Sequence, residues 1–136
     1  MSWDVVIGLD VGKTMHHAVA LDGDGRRPVD REVANTERAL RELFGQAAGQ
    51  GEVLVVVDQL HSIGALPVTV AQVMGIEVAY LPGLSMRRLA DLQPGSAKTD
   101  ARDAYVIADA ARTAPYALRA LGVPDETRAA LSMLTR

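Results

Sequence analysis

At 136 residues, with 49 % hydrophobic and 23 % charged side chains, the chain has the size of one domain and a globular composition, which excludes disordered, collagen-like and coiled-coil classes. The absence of cysteine removes a disulfide framework, a thiolate zinc site and a cysteine nucleophile, so any metal must sit on oxygen or histidine. Net charge is −3, from 14 basic and 17 acidic residues, which argues against a protein that coats nucleic acid. The charge is unevenly spread: residues 1–82 carry 6 basic and 11 acidic side chains, residues 83–136 carry 8 and 6. No apolar run approaches the roughly 18 residues of a membrane span, and Met1-Ser2-Trp3-Asp4 lacks the basic start of a signal peptide, which together predict a cytoplasmic protein.

Asp4 to Asp10 is a short, β-branched apolar run and reads as a buried strand that ends on a carboxylate. Met15 to Leu21 is a second strand, Asp22-Gly23-Asp24-Gly25 a hairpin turn, and Pro28 to Ala34 a third strand. Asn35 or Thr36 caps a helix whose apolar face is Leu40, Leu43, Phe44 and Ala47, stopped by Gly49 and Gly51. The unbroken run Val53 to Val57 is a strand covered on both faces, and it too ends on a carboxylate, Asp58. A helix from about Gly64 to Met74 and a fifth strand from Ile76 to Tyr80 follow. With right-handed crossovers the order β-β-β-α-β-α-β predicts a mixed five-stranded α/β sheet of the ribonuclease H type, its first three strands antiparallel. Beyond Pro82 the pattern predicts a short helix from Ser85 to Leu92, a turn at Gln93 to Ser96, and a helix from Thr99 to Thr113. A last helix, with Leu131 and Leu134 on one face, starts near Pro124 and is still running at Arg136, which reads as a truncation.

Asp10 and Asp58 both fall at the carboxyl ends of strands expected to be parallel neighbours, where α/β sheets collect ligands. Asp100 and Asp103, three apart on one helix, share a face. Four carboxylates from three elements suit a pair of magnesium or manganese ions acting on a phosphodiester, and such ions would also lift the objection from net charge. Each acid has a structural alternative: strand-end aspartates serve as turn or cap residues, Asp100 can cap its helix and Asp103 can complement the helix dipole. Asp91, Asp109 and Asp125 read as solvated. Lys98 and Thr99 precede Asp100, where an ammonium and a hydroxyl would meet a scissile phosphate, and Lys13, Arg87, Arg88 and Arg102 extend a nucleic-acid-binding rim. For Arg102 a solvated helix surface is the competing expectation. His16 and His17 point to opposite faces of a strand, which disfavours joint ligation, and His61, three after Asp58, reads as a polar loop residue. Gly8 to Thr14 is not a P-loop, because three residues rather than four separate its glycines. The phosphate-clasping hairpin of actin-like ATPases shares the topology but needs a second, duplicated domain. A single Phe and a single Trp give little support to a base-stacking platform.

The stretch Arg88 to Ala104, with its Lys98-Thr99-Asp100-Ala101-Arg102-Asp103-Ala104 core, resembles the DEDD transposases of insertion-sequence family one-ten, related to the Piv-type DNA invertases, whose N-terminal domain resembles the RuvC resolvase. Gly8 to Lys13 matches the first motif of that family and Val55 to Asp58 the second, so the resemblance spans nearly the whole chain. It departs at Asp58, where the family usually has glutamate followed by a short Thr-Gly segment and this sequence continues Gln59-Leu60-His61-Ser62-Ile63-Gly64. The resemblance implies a RuvC-like catalytic domain over residues 1–123. Residues 124–136 would begin a helical connection to a serine-bearing domain beyond this chain. It further implies that Asp10, Asp58, Asp100 and Asp103 hold Mg2+ or Mn2+, that Lys98 and Thr99 lie near the DNA backbone, and that transposon-end and target DNA are the partners. A noncoding guide RNA and a homo-oligomer are implied with them, and no membrane. On this reading the isolated chain folds but is a poor or inactive recombinase. Two alternatives stand beside it: a small RuvC-like Holliday-junction resolvase, and a noncatalytic DNA- or RNA-binding transposon remnant.

Overall fold

A computed structural model describes residues 3–92 and 99–121. Strands β1 (Val5–Asp10), β2 (Met15–Asp22) and β3 (Val29–Ala34) run as an antiparallel meander. Helix α1 (Glu37–Ala48) leads to β4 (Val53–Val57), which lies parallel to β1. A 3-10 turn at Ser62–Gly64 and α2 (Ala65–Val73) lead to β5 (Glu77–Tyr80), parallel to β4. Helices α3 (Gly83–Asp91) and α4 (Asp100–Thr113) follow, and β6 (Arg119–Leu121) closes the described chain.

The sheet order is β3-β2-β1-β4-β5-β6. The expected five strands appear in the expected order, and the count is corrected to six, because β6 pairs antiparallel with β5. Three residues at a sheet edge, two of them exposed, carry too little alternation to announce a strand. The turn at Gln93 to Ser96 and the last helix, with Leu131 and Leu134, lie outside the described residues.

Strand residues alternate between faces, and this parity builds two cores. Val5, Ile7, Leu9, Val53, Val55 and Val57 face α1 and α2, where Leu40, Leu43 and Phe44 are fully buried. Each such side chain contributes about 1.5 to 3 kcal/mol by leaving water. Val6, Leu54 and Val56 face α3 and α4, against Ala104, Ile107, Ala108 and Ala111. Thr36, rather than Asn35, caps α1, its hydroxyl accepting the Ala39 amide at 3.2 Å. Among the described residues no helix is long and apolar enough to cross a membrane.

Candidate functional site

Even-numbered residues of β1 and β4 point to the α4 side, and that parity carries to Gly8, to Asp10 at the last position of β1 and to Asp58 just after β4. Helix α4 crosses this face directly over Gly8. A Cβ at that position would lie 2.4 Å from the Ala108 amide nitrogen and 2.5 Å from the Ala104 carbonyl oxygen, so only a residue without a side chain lets the helix pack so closely. The first turn of α4 thereby arrives beside the ends of β1 and β4. It presents Asp100 exposed and Asp103 buried.

Asp10 feels the other three carboxylates. Asp10 is pushed up to about 7, first by burial and then by the negative charges of Asp58, Asp100 and Asp103, with a hydrogen bond to the Asp100 carboxyl in addition. Every one of these influences raises it, so among the described residues no cation offsets the cluster at Asp10. Asp58 is also raised, first by burial, with Asp103 adding to the rise. Hydrogen bonds from the backbone and from the Asp10 carboxyl oppose that rise, and among them the Val11 amide donates to Asp58 Oδ1 at 3.1 Å. A cluster of hard oxygen donors lacking positive charge suits a divalent cation. Among the described residues, however, no three Asp, Glu or His side chains form a ready coordination shell, so an ion would have to draw carboxylates of the cluster closer together.

The loop between β1 and β2 is fastened from three directions. Besides the Val11 bond to Asp58, the Gly12 amide donates to His16 Nδ1 at 3.1 Å, and Asn35 Nδ2 donates to the Lys13 carbonyl at 3.1 Å. Because Nδ1 accepts, the imidazole proton sits on Nε2, which donates to Asn35 Oδ1 at 2.8 Å. His16 is 1 % exposed, and burial holds it below its usual value by disfavouring the imidazolium. Sequence reasoning gave neither His16 nor Asn35 this task, since both partners of His16 lie across strand ends. The opposite-face expectation for the two histidines fits the strand geometry: His17 pairs with Asp30 on the other side, at 2.6 Å.

The expected cationic rim is partly engaged in the fold. Thr99 caps α4, its hydroxyl accepting the Arg102 amide at 3.0 Å. The Arg102 guanidinium donates through Nη2 to the Ala90 carbonyl of α3, tying the two helices together. The side chains of Lys13, Arg87 and Arg88 are exposed and pair with no carboxylate among the described residues. Lys98 lies outside the described residues. Asp109, expected to be solvated, is 4 % exposed and pairs with Arg112 at 2.8 Å. Its burial on α4 is compatible with its charge because Arg112 pairs with it, and the Thr113 hydroxyl donates to the Asp109 carbonyl at 3.0 Å.

A family model described as transposase, of the DEDD type of IS110 elements, matches residues 7–136. The insertion element IS110 43.6 kDa protein of Streptomyces coelicolor is 57 % identical over 131 residues, covering 96 % of this chain and 32 % of that protein. The insertion element IS900 42 kDa protein of Mycobacterium paratuberculosis is 34 % identical over 138 residues, covering 99 % of this chain and 34 % of that protein. The chain thus spans about a third of the length of the curated relatives it matches. Among solved structures, RuvC of T. thermophilus in complex with a Holliday junction substrate superposes with a TM-score of 0.61 at 14 % identity, covering 86 % of this chain and 99 % of that one, which establishes a shared fold. From the family match over nearly its whole length and from these relatives, the chain belongs to the DEDD transposases of IS110-type insertion elements.

Proposed function

We propose that this chain is the carboxylate-bearing catalytic part of a transposase, acting on DNA phosphodiesters with the help of divalent metal. The observation that carries the reading is the influence on Asp10 of the Asp58, Asp100 and Asp103 charges, from the end of β4 and from α4, with no compensating cation among the described residues. These four would hold Mg2+ or Mn2+, and a bound ion pair would supply charge stabilisation to the attacking and leaving oxygens of the phosphodiester. Asp103 is buried, while Asp100 is exposed at the helix start and would be reached by an ion from solvent. Asp10 gives up its proton when an ion takes the place of that proton in the cluster. The bonds from Asp58, His16 and Asn35 hold the loop that carries Lys13. The exposed Lys13, Arg87 and Arg88 would meet the DNA backbone, with Lys98 and the Thr99 hydroxyl nearest the scissile phosphate. Transposon-end and target DNA, a noncoding guide RNA and a second copy of the chain are the partners in this reading, with residues 1–123 as the catalytic unit.

Binding of duplex DNA to the chain, measured with and without magnesium, tests the proposal. Magnesium is expected to tighten binding, and Asp103→Asn to erase that gain while leaving the salt-sensitive remainder. Supercoiled plasmid should be cut slowly or not at all by this chain alone. Binding that ignores both magnesium and the substitution would favour a second reading, a noncatalytic nucleic-acid-binding module, to which the open carboxylate shell lends support.

A further inference from the structure

Next to the carboxylates a cleft of about 540 Å3 opens at the C-terminal ends of β4 and β5, a volume within the roughly 300 to 1,000 Å3 of small-ligand sites. Asp58 is the wall that it shares with the acidic cluster. The remaining lining is of two kinds. Leu60, Ile63 and Tyr80 offer apolar and aromatic surface, while Gln59, His61 and Ser62 offer hydrogen-bonding groups. Among the described residues neither lysine nor arginine lines it, so none of them offers a phosphate a cationic partner there. A flat heteroaromatic ring with polar edges finds both a stacking face and donors and acceptors.

The cleft is a built feature of the chain. Ser62 adopts φ 59°, the one positive φ of a non-glycine among the described residues, at the turn that folds the loop back. Gly64 lies against that loop so closely that a Cβ would stand 2.1 Å from the Gln59 carbonyl oxygen, and its amide donates to the His61 carbonyl at 3.1 Å. Tyr80 is in register with Val57, so its ring is rooted beside the residue that precedes Asp58.

We infer that this cleft receives the nucleobase of an unpaired nucleotide adjoining the phosphodiester at the carboxylates, stacked on Tyr80 and held at its edge by Gln59, His61 or Ser62. The inference rests on the DNA reading above. Asp58 as a common wall puts the cleft next to the reacting phosphate, and a base still paired within a duplex has both faces covered, so the occupant must be unstacked.

The test uses the 136-residue chain, millimolar magnesium and a forked DNA duplex bearing one unpaired 2-aminopurine nucleotide at the fork. The comparison is the same fork with an abasic residue there. The abasic fork should bind about tenfold more weakly, the scale of one base-aromatic stack, and 2-aminopurine emission should fall on binding. Tyr80→Leu should remove both the preference and the quenching. His61→Ala, in an exposed loop, should weaken the preference without disturbing the fold, and decides the matter alone if Tyr80→Leu unfolds. Equal affinity for the two forks, or a preference that survives both substitutions in folded protein, overturns the inference while leaving the DNA reading intact. Failure to bind either fork overturns the DNA reading, and this inference with it.

Discussion

Replacing Gly8 by alanine probes the link between packing and site. The added methyl would stand 2.4 Å from the Ala108 nitrogen, 2.5 Å from the Ala104 oxygen and 2.9 Å from the Ala108 Cα, against an ordinary contact of 3.4 Å or more. All three are backbone atoms, so no side chain can swing away, and α4 must lift from β1 by about 1 Å, a displacement that costs catalytic sites on the order of a hundredfold. Overpacking of this kind costs about 3 kcal/mol at the upper end of its usual range, offset by about 0.5 to 1 kcal/mol from the stiffer unfolded chain. The net loss of about 2 kcal/mol corresponds to a fall of about 6 to 8 °C in Tm for a domain of this size. Gly23→Ala, where a Cβ meets nothing within 4 Å, is the control and should move Tm by under about 2 °C. Thermal unfolding gives the first readout and manganese titration the second, with affinity falling in Gly8→Ala because Asp100 and Asp103 ride on the displaced helix. Wild-type Tm together with wild-type manganese affinity would refute the claim that Gly8 sets the distance between strand and helix carboxylates.

Thr99→Ala should cost about 1 kcal/mol in urea unfolding through loss of the α4 cap, and Thr99→Ser should restore it, whereas a residue needed only for phosphate contact would leave stability unchanged. His16→Ala orphans the half-buried Gly12 amide and should cost about 1 to 3 kcal/mol. Hydrogen exchange at Gly12 should accelerate more than exchange in β4. The Asp10 carboxyl titrates near 7 in the folded metal-free chain and at 3.8 when unfolded, so the folded state holds the extra proton. Stability from this group is therefore complete below 3.8 and is lost as pH rises through about 7. A rise from 3.8 to about 7 corresponds to about 4 kcal/mol, which solvent screening of a half-buried group reduces to about 1 to 2 kcal/mol. Tm should accordingly decline between pH 5 and 8 without metal, and Asp10→Asn or added magnesium should flatten the decline; a flat profile in the wild-type chain would contradict the crowding of four carboxylates.

Much of the fold was legible because periodicity and punctuation agreed. Val53 to Val57 has no polar break and is a strand buried on both faces, and Thr99 before Asp100 and Asp103 marks a cap that the structure contains. Edge strand β6 escaped notice because edge pairing asks little of side chains. The four acids were readable as strand-end and helix-start residues, yet the close approach of α4 to β1 depends on Gly8, which in sequence looked only like part of a glycine motif. Asp109 misled because a charged side chain on the buried face of a helix is tolerated when Arg112 lies one turn on, a pairing that composition does not reveal. The bond pattern of His16 was invisible for a different reason: Asn35 is 19 residues away, and the bond to Gly12, four residues back, depends on how the loop before β2 turns.

The central claim, that Asp10, Asp58, Asp100 and Asp103 form one metal-binding unit, is tested most directly by NMR titration of the isotopically labelled chain with magnesium, followed by manganese as a paramagnetic probe. All four carboxyl signals are predicted to move together on one binding curve in the millimolar range or below, with manganese broadening them and Asp103→Asn abolishing the common curve. Signals that stay still at millimolar magnesium, or that move for Asp100 alone, would contradict the account.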